Sequence, residues 1–584
     1  MLTMQRNPLT PPVQTPHKYA AWADELTKRS CRPRTFRGGP RAPWWCYATA
    51  LLVLAVTARG IALLALYARV PLHKDAAPVL AWVARDLPRL PAWLWVWGAA
   101  ELAFFIYCKR LVARLQPLTP IPSLTRTRRR ALFRRCIAYL ADANVDPREW
   151  LRTWLCDAPF DDIAREDMEN FLSWAFWGFA LPGHSPPSAD ASAGHLSEDD
   201  RADLREMGDL FEEHACHRFP RATGAPALPL QSFTLEPLDG SYFPLCLYAA
   251  TRVLNNGYRC LLLWRGFRRE RAGDLHYFVK EPPASPAAEK RKLVEAGGGD
   301  GACTIFLHGI GLGLVGYFTA VSKLLGLQRR GQAGAVVLVE NPQVCLHCSP
   351  RPLPIPAAVD ALRAIVDRHG TPQRARPGGE KGAVFIAHSF GTCMLSWVVH
   401  ELPGRCLGAV FIDPVCFLLH LKTVCYNFVY KRIFPKYGPM AILRSDLFIN
   451  YAIRRQFWWM HNACFAEELP CPTIVVLAEK DEVGPVAAVE KYLRRVPTGC
   501  TADDGRPRHA ELITLPGVTH GSMLYYKATM RRVFGRIGAL LEEAALRARR
   551  GGNSCAASAP AITAEAAGSG GIELGTFGGG LTRV

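Results

Sequence analysis

Val384-Phe385-Ile386-Ala387-His388-Ser389-Phe390-Gly391 is the stretch on which the fold of this chain turns. A short continuous apolar run reads as a buried strand, and the small residues after it read as a tight turn into a helix over about 391–402. A serine in such a turn is held with its oxygen exposed, at a cost in backbone strain, and becomes a nucleophile if a base stands beside it. The residues two before and two after the serine must be small, because their backbones nearly touch. Ala387 and Gly391 meet that need, with alanine where a glycine is usual. His388 reads as an elbow-shaping or packing residue, since it cannot easily turn back onto its neighbour's hydroxyl.

Upstream, Thr304-Ile305-Phe306-Leu307-His308-Gly309-Ile310-Gly311-Leu312-Gly313 is a second strand followed by a glycine-rich loop. Glycines here let an amide N–H approach the oxyanion that forms in acyl transfer. Ile310 is the expected first donor, with Gly311 as its alternative, and the amide of Phe390 the second. Gly311 to Gly316 also matches the GxGxxG of dinucleotide sites, with Glu340 where a ribose-binding acid would stand. Three residues separate the strand from that first glycine, where the dinucleotide pattern has none, so the oxyanion reading is preferred.

Downstream, the strand Ile474–Ala478 leads to Asp481, and the strand around Leu515 leads to His520. Nucleophile, acid and base thus follow in the order Ser389, Asp481, His520. His520 would take the hydroxyl proton, and Asp481 would fix its tautomer and stabilise the imidazolium. Asp413, after the strand Gly408–Ile412, is the alternative acid. The spacing places further strands at 335–339 and 383–386 and helices near 315–327, 356–369, 391–402, 485–495 and 524–548. Strands alternating with helices at this spacing predict an α/β fold with a mostly parallel, doubly wound sheet.

Through His308-Gly309, Ala387–Gly391, Asp481 and His520, residues 303–545 resemble the α/β-hydrolase superfamily. The likeness implies an acid one strand later than Asp413, so Asp481 is preferred. The layout of the whole chain is similar to uncharacterised membrane-anchored hydrolases of fungi and algae. That resemblance implies a serine hydrolase acting through an acyl-enzyme, lipase- or esterase-like, with the lid in the 414–470 insertion. Acyltransferase, serine peptidase and non-catalytic scaffold are the alternatives on the same fold. The insertion carries Phe417, Leu419, Tyr426, Phe428, Tyr430 and Phe457-Trp458-Trp459, with Lys422, Lys431, Arg432 and Lys436 among them. Aromatics over a serine suit acyl chains and cations suit anionic headgroups, so a lipid or acyl ester is the expected substrate; the same aromatics could equally form only the lid's own core. The chemistry calls for no metal or organic cofactor.

The remaining organisation is read from composition. Residues 1–43 form a basic, proline-rich tail, 44–108 membrane-anchor segments, 109–281 a helical region, 282–302 a linker, 303–548 the catalytic domain and 549–584 a disordered tail. In 109–281, Leu132, Ile137, Leu140, Trp150, Trp154, Phe171 and Trp174 recur at helical spacing. The 584 residues carry a net charge of +19, fifteen tryptophans and nineteen scattered cysteines. The basic runs flank apolar stretches and lack nucleic-acid-binding motifs, so a membrane surface rather than a nucleic acid is the expected partner. Unpaired cysteines inside apolar runs suit a reducing compartment. The lone Cys345-Leu346-His347-Cys348 reads as a turn, because a zinc site needs a second pair.

Residues 44–68 are apolar but for Arg59, and 92–108 but for Glu101, against the ~20 residues of a membrane span. In a hairpin of two spans Arg59 and Glu101 could pair. Basic flanks outside both segments would place the catalytic domain on the cytoplasmic side of a membrane. The stretch 242–263, broken by Arg252 and Asn255-Asn256-Gly257, is too polar for a span, and an interfacial position is the expectation for it.

Overall fold

The computed structural model describes residues 92–550, apart from 120, 185–195, 222–226, 239, 241, 283–300, 350–352, 375–379, 432–438 and 502–504. The tail 1–43, the apolar stretch 44–68, Arg59, most of the 282–302 linker and the C-terminal tail beyond Arg550 lie outside the described residues.

A mixed nine-stranded sheet forms the centre. Its strands are β1 (Arg268–Ala272), β2 (Leu275–Lys280), β3 (Ala302–Leu307), β4 (Ala333–Glu340), the two-residue β5 (Thr371–Pro372), β6 (Lys381–His388), β7 (Cys406–Ile412), β8 (Thr473–Lys480) and β9 (Glu511–Thr519). The order is β1-β2-β4-β3-β6-β7-β8-β9, with β5 at the start of β6. Along that order pairing from β4 to β9 is parallel, while β2 runs antiparallel to both its neighbours and β5 antiparallel to β6. Side chains alternate across a strand, and two separate apolar cores follow from that. Ile305, Val337 and Phe385 point into one; Phe306, Leu338, Val384 and Ile386 point into the other. A sheet covered on both faces explains why its central strands are uninterrupted apolar runs.

The helices named below are α1 (Ala92–Leu115), α2 (Arg126–Ala143), α3 (Pro147–Trp154), α4 (Arg165–Trp177), α5 (Glu198–Ala215), α6 (Leu245–Trp264), α7 (Phe318–Arg329), α8 (Ile355–His369), α9 (Gly391–Glu401), α10 (Leu447–Gln456), α11 (Val486–Arg495) and α12 (Lys527–Arg550). Sequence signals set several of their ends. The Thr125 side chain accepts the Arg128 N–H to start α2, and Asn144 ends it in the left-handed region at φ 54°. Asp146 caps α3, with Pro147 in its first turn.

Four expectations change. The boundary at 281/303 does not separate two units, because β1 and β2 add to the sheet ahead of the linker. The charged sequence of β1, Arg268-Arg269-Glu270-Arg271, suits an edge strand and hides its strand signal, whereas β2 is a short apolar run, Tyr277-Phe278-Val279, buried inside the sheet. The helical region is likewise no separate domain. Its Trp150, Trp154, Phe171 and Trp174 share one continuous core with β3, β6 and the 414–470 insertion.

Among the described residues, no helix is long and apolar enough to cross a membrane, which includes α1 over the expected segment 92–108. Its Glu101 is 3% exposed and accepts the Leu245 and Cys246 amides at 2.8 and 3.2 Å and the Trp97 indole at 3.1 Å. The carboxylate thus caps the N-terminus of α6, which Pro244 leaves without a side-chain cap, and its charge meets the positive helix end. Finally, α12 continues through Arg550, past the boundary expected at 549.

Candidate active site

The parallel register aligns the ends of β3, β6, β7, β8 and β9, so their following loops converge on one edge of the sheet, where α/β sheets place ligands. Leu307 stands opposite Ala387, and His388 opposite Ile412. Ser389 follows β6 at φ 52°, a left-handed conformation costing a non-glycine residue about 1–3 kcal/mol. The elbow expected from the sequence is therefore present, and α9 starts two residues later. What crowds it differs from expectation. A side chain at Gly391 would stand 2.3 Å from the Leu307 carbonyl oxygen, so glycine is required by β3 and not by Ala387. A side chain at Gly309 would lie 2.7 Å from Ser389 Cβ.

The structure brings Ser389, His520 and Asp481 together. His520 Nε2 is 2.8 Å from Ser389 Oγ, and His520 Nδ1 is 2.7 Å from Asp481 Oδ2. The other oxygen of Asp481 accepts the Val483 and Gly484 amides at 2.7 and 3.1 Å, which holds the carboxylate plane. A carboxylate only accepts, so Nδ1 carries the ring proton and Nε2 is free to accept from the serine. Burial disfavours the charged His520 ring, but the Asp481 hydrogen bond and the carboxylates of Asp481, Asp413 and Glu482 outweigh it. The net effect raises its pKa.

Asp413, the alternative acid, does not reach a ring nitrogen of His520 by hydrogen bond. Its Oδ2 accepts the Gly521 amide at 2.8 Å and its Oδ1 the Ala478 amide at 3.1 Å, tying the loops of base and acid together. Burial works against its charge, yet His388, His520 and the Gly521 amide keep its pKa below the usual value.

The glycine loop is shaped by side chains. His308 Nε2 accepts the Asn341 amide at 3.0 Å, so its Nδ1–H donates to the Gly309 carbonyl at 2.8 Å. The Gly311 amide donates to Val344 O at 3.0 Å, which removes it as an oxyanion donor. The amides of Ile310 and Phe390 make no hydrogen bond within the described residues, and both residues border the cavity that contains Ser389. Glu340 is held by Arg259 at 2.7 Å and Arg269 at 3.2 Å, so it is not free for a ribose.

That cavity measures about 510 Å³ and is lined mostly by apolar side chains, a size within the range of small-molecule sites. Its far wall comes from the helical region: Trp150, Trp154, Phe171, Trp174, Phe176 and Phe233. The Trp150 and Trp154 indoles both donate to His420 O, at 2.9 and 3.2 Å, and pin α3 to the insertion. Nothing in the sequence ties these tryptophans to Ser389; their helical spacing marks them only as apolar helix positions.

The insertion's aromatics divide. Phe428, Phe457 and Trp459 line the cavity, while Phe417 packs on Phe411 at 5.1 Å in the core. Lys422, expected to face headgroups, instead binds Thr153 O and the Asp157 carboxylate at 2.9 and 3.3 Å. These contacts tie the insertion to the C-terminal end of α3.

No protein-family model and no curated protein matches the chain. Solved structures do, at low likeness. A bacterial membrane phospholipase A is 12% identical with a TM-score of 0.33, over 50% of this chain and 93% of that one. A bacterial heroin esterase is 18% identical with a TM-score of 0.32, over 53% and 93%. A monoacylglycerol lipase of Paleococcus ferrophilus is 13% identical with a TM-score of 0.29, over 46% and 99%. What the described residues display is a mixed, mainly parallel sheet with helices on both faces and a serine on a strand–turn–helix elbow.

Proposed function

We propose that this chain is a serine hydrolase of the α/β-hydrolase type that cleaves a carboxylic ester of a lipid. The observation that carries the reading is the Ser389–His520–Asp481 series of hydrogen bonds opening on an apolar cavity. His520 Nε2 would take the Ser389 proton as Oγ attacks the ester carbonyl carbon. The oxyanion would meet the amides of Ile310 and Phe390, and collapse would release the alcohol with the proton from His520. Water, activated by the same imidazole, would then split the acyl-enzyme into acid and free serine.

A bilayer as the source of substrate is supported by the rim of the cavity. Leu312 and Tyr525 line it and are 40% and 74% exposed, and Phe318 and Tyr526 beside them are 53% and 52% exposed. The rim is tied together, since Thr319 Oγ1 donates to Leu524 O and Asn255 of α6 lies against Gly313. On α6, Val253, Leu254, Leu263 and Trp264 are exposed as well, in keeping with an interfacial helix. Exposed apolar area of this kind marks an interaction surface. The apolar stretch 44–68 would add an anchor, with the catalytic domain facing the cytoplasm.

Labelling with a fluorophosphonate and hydrolysis of lipid esters in vesicles, on wild type and Ser389→Ala, test the reading. Both signals are expected to vanish in the variant. Lipid-ester hydrolysis that survives Ser389→Ala would refute the mechanism, and loss of vesicle binding is expected when Leu312, Phe318 and Tyr525 are changed to Ser.

A further inference from the structure

The glycine loop, the elbow and the loops of Asp481 and His520 meet at one buried chain of groups that the proposed reaction does not itself use. Tyr317 ends the 3-10 segment Gly313–Tyr317, and its ring packs edge-on against Phe306 at 5.2 Å and His388 at 5.4 Å. Its hydroxyl accepts the Gly309 N–H at 2.9 Å and lies 2.7 Å from His388 Nδ1. A phenol has one proton. The Asp413 carboxylate beside Nε2 can only accept, so His388 carries its proton on Nε2 and its bare Nδ1 takes the phenol proton.

His388 Nε2 lies 3.6 Å from Asp413 Oδ2, longer than a hydrogen bond, so that contact is electrostatic. Asp413 in turn holds the Ala478 and Gly521 amides. Ala478 O accepts the Asp481 amide at 3.1 Å, and Gly521 directly follows His520. Asp413 itself sits in the left-handed region at φ 44°, a strained conformation held by its contacts to the Ala478 and Gly521 amides.

We infer that Tyr317, His388 and Asp413 form a positioning network that sets the Gly309–Ile310 turn, and with it the Ile310 amide, at the distance an oxyanion requires. The inference rests on the serine-hydrolase reading above. It also explains the glycine run that resembles a dinucleotide loop: Gly313, at φ 77°, turns the chain so that Tyr317 can reach back to Gly309. A misplacement of about 1 Å in such a site costs on the order of 100-fold in rate.

The test is Tyr317→Phe, which keeps the ring and deletes the hydroxyl, assayed on a soluble p-nitrophenyl ester beside wild type, Ser389→Ala, His388→Leu and His388→Asn. The expected result is a kcat lowered about 10- to 100-fold with KM within about twofold. Inhibition by an alkyl trifluoromethyl ketone, whose adduct carries the oxyanion, should weaken by a similar factor. His388→Asn, which keeps an acceptor for Tyr317, should recover part of what His388→Leu loses. Unchanged kcat in folded Tyr317→Phe, or a rise in KM alone, overturns the inference. If Tyr317→Phe does not fold, equal activity of the two His388 variants overturns it instead. Activity persisting in Ser389→Ala refutes the underlying reading, which separates the two failures.

Discussion

Replacing Asp481 by Asn separates the two candidate acids, and the consequence can be worked out from the hydrogen bonds. Asp481 Oδ1 accepts both the Val483 and Gly484 amides, at 2.7 and 3.1 Å. Only an oxygen can serve two donors, so the Asn carbonyl takes that place and its NH2 faces His520 Nδ1. A donor facing Nδ1 requires that nitrogen to be bare, and the ring proton moves to Nε2. There it blocks acceptance of the Ser389 proton across the 2.8 Å contact. A tautomer inversion of this kind costs about 10⁴ in kcat, or roughly 5.5 kcal/mol of transition-state stabilisation. Asp413→Asn leaves the His520 tautomer alone, because Asp413 bonds only backbone amides and faces His388. Its loss should be smaller by at least about tenfold. Steady-state hydrolysis of a soluble ester and the rate of fluorophosphonate labelling measure both, with thermal melting as the check on folding. A kcat for Asp481→Asn within about tenfold of wild type, or a greater loss for Asp413→Asn, would refute the assignment.

Because His520 must be neutral to act as base and its pKa is raised, activity should fall with decreasing pH through a midpoint above the usual ~6.5. Asp413→Asn removes one carboxylate that raises it, and the midpoint in kcat/KM should move down. The same raised pKa stabilises the folded state below the unfolded value, and that contribution is lost as pH rises through the folded pKa, so comparing wild type with His520→Gln in melts across pH isolates it. Val429 lines the cavity and is only partly buried, so Val429→Trp should fill space there with little effect on stability. Its KM for a long-chain ester should rise against that for an acetyl ester, read from a chain-length series. Glu101→Ala should lower unfolding free energy by about 1–3 kcal/mol in denaturant titration, since it frees two α6 amides; Glu101→Gln, retaining one oxygen, should lose less.

The sequence by itself determined the central strands from β3 onwards and the chain order of Ser389, Asp481 and His520. Those features are local: buried parallel strands are uninterrupted apolar runs, and turn residues such as Gly391 and Gly521 mark where each one ends. Parallel pairing then carries every strand end to the same edge, so residues 92 and 39 positions apart in the chain needed no further signal to meet. Tertiary structure alone decided the rest. The cavity wall is made by Trp150, Phe171 and Phe233, whose helical spacing says only that they are buried, not against what. β1 and β2 join the sheet from the far side of the linker; charged β1 has no strand-like pattern of its own, and the short apolar run of β2 does not say which sheet it joins. Glu101, which a linear reading pairs with Arg59, is satisfied by the start of a helix 144 residues later, because a buried carboxylate takes whichever donors the packing offers. Tyr317 lay inside a glycine run that pointed elsewhere, and only the 2.9 Å approach of its hydroxyl to Gly309 gives that loop its place in the site.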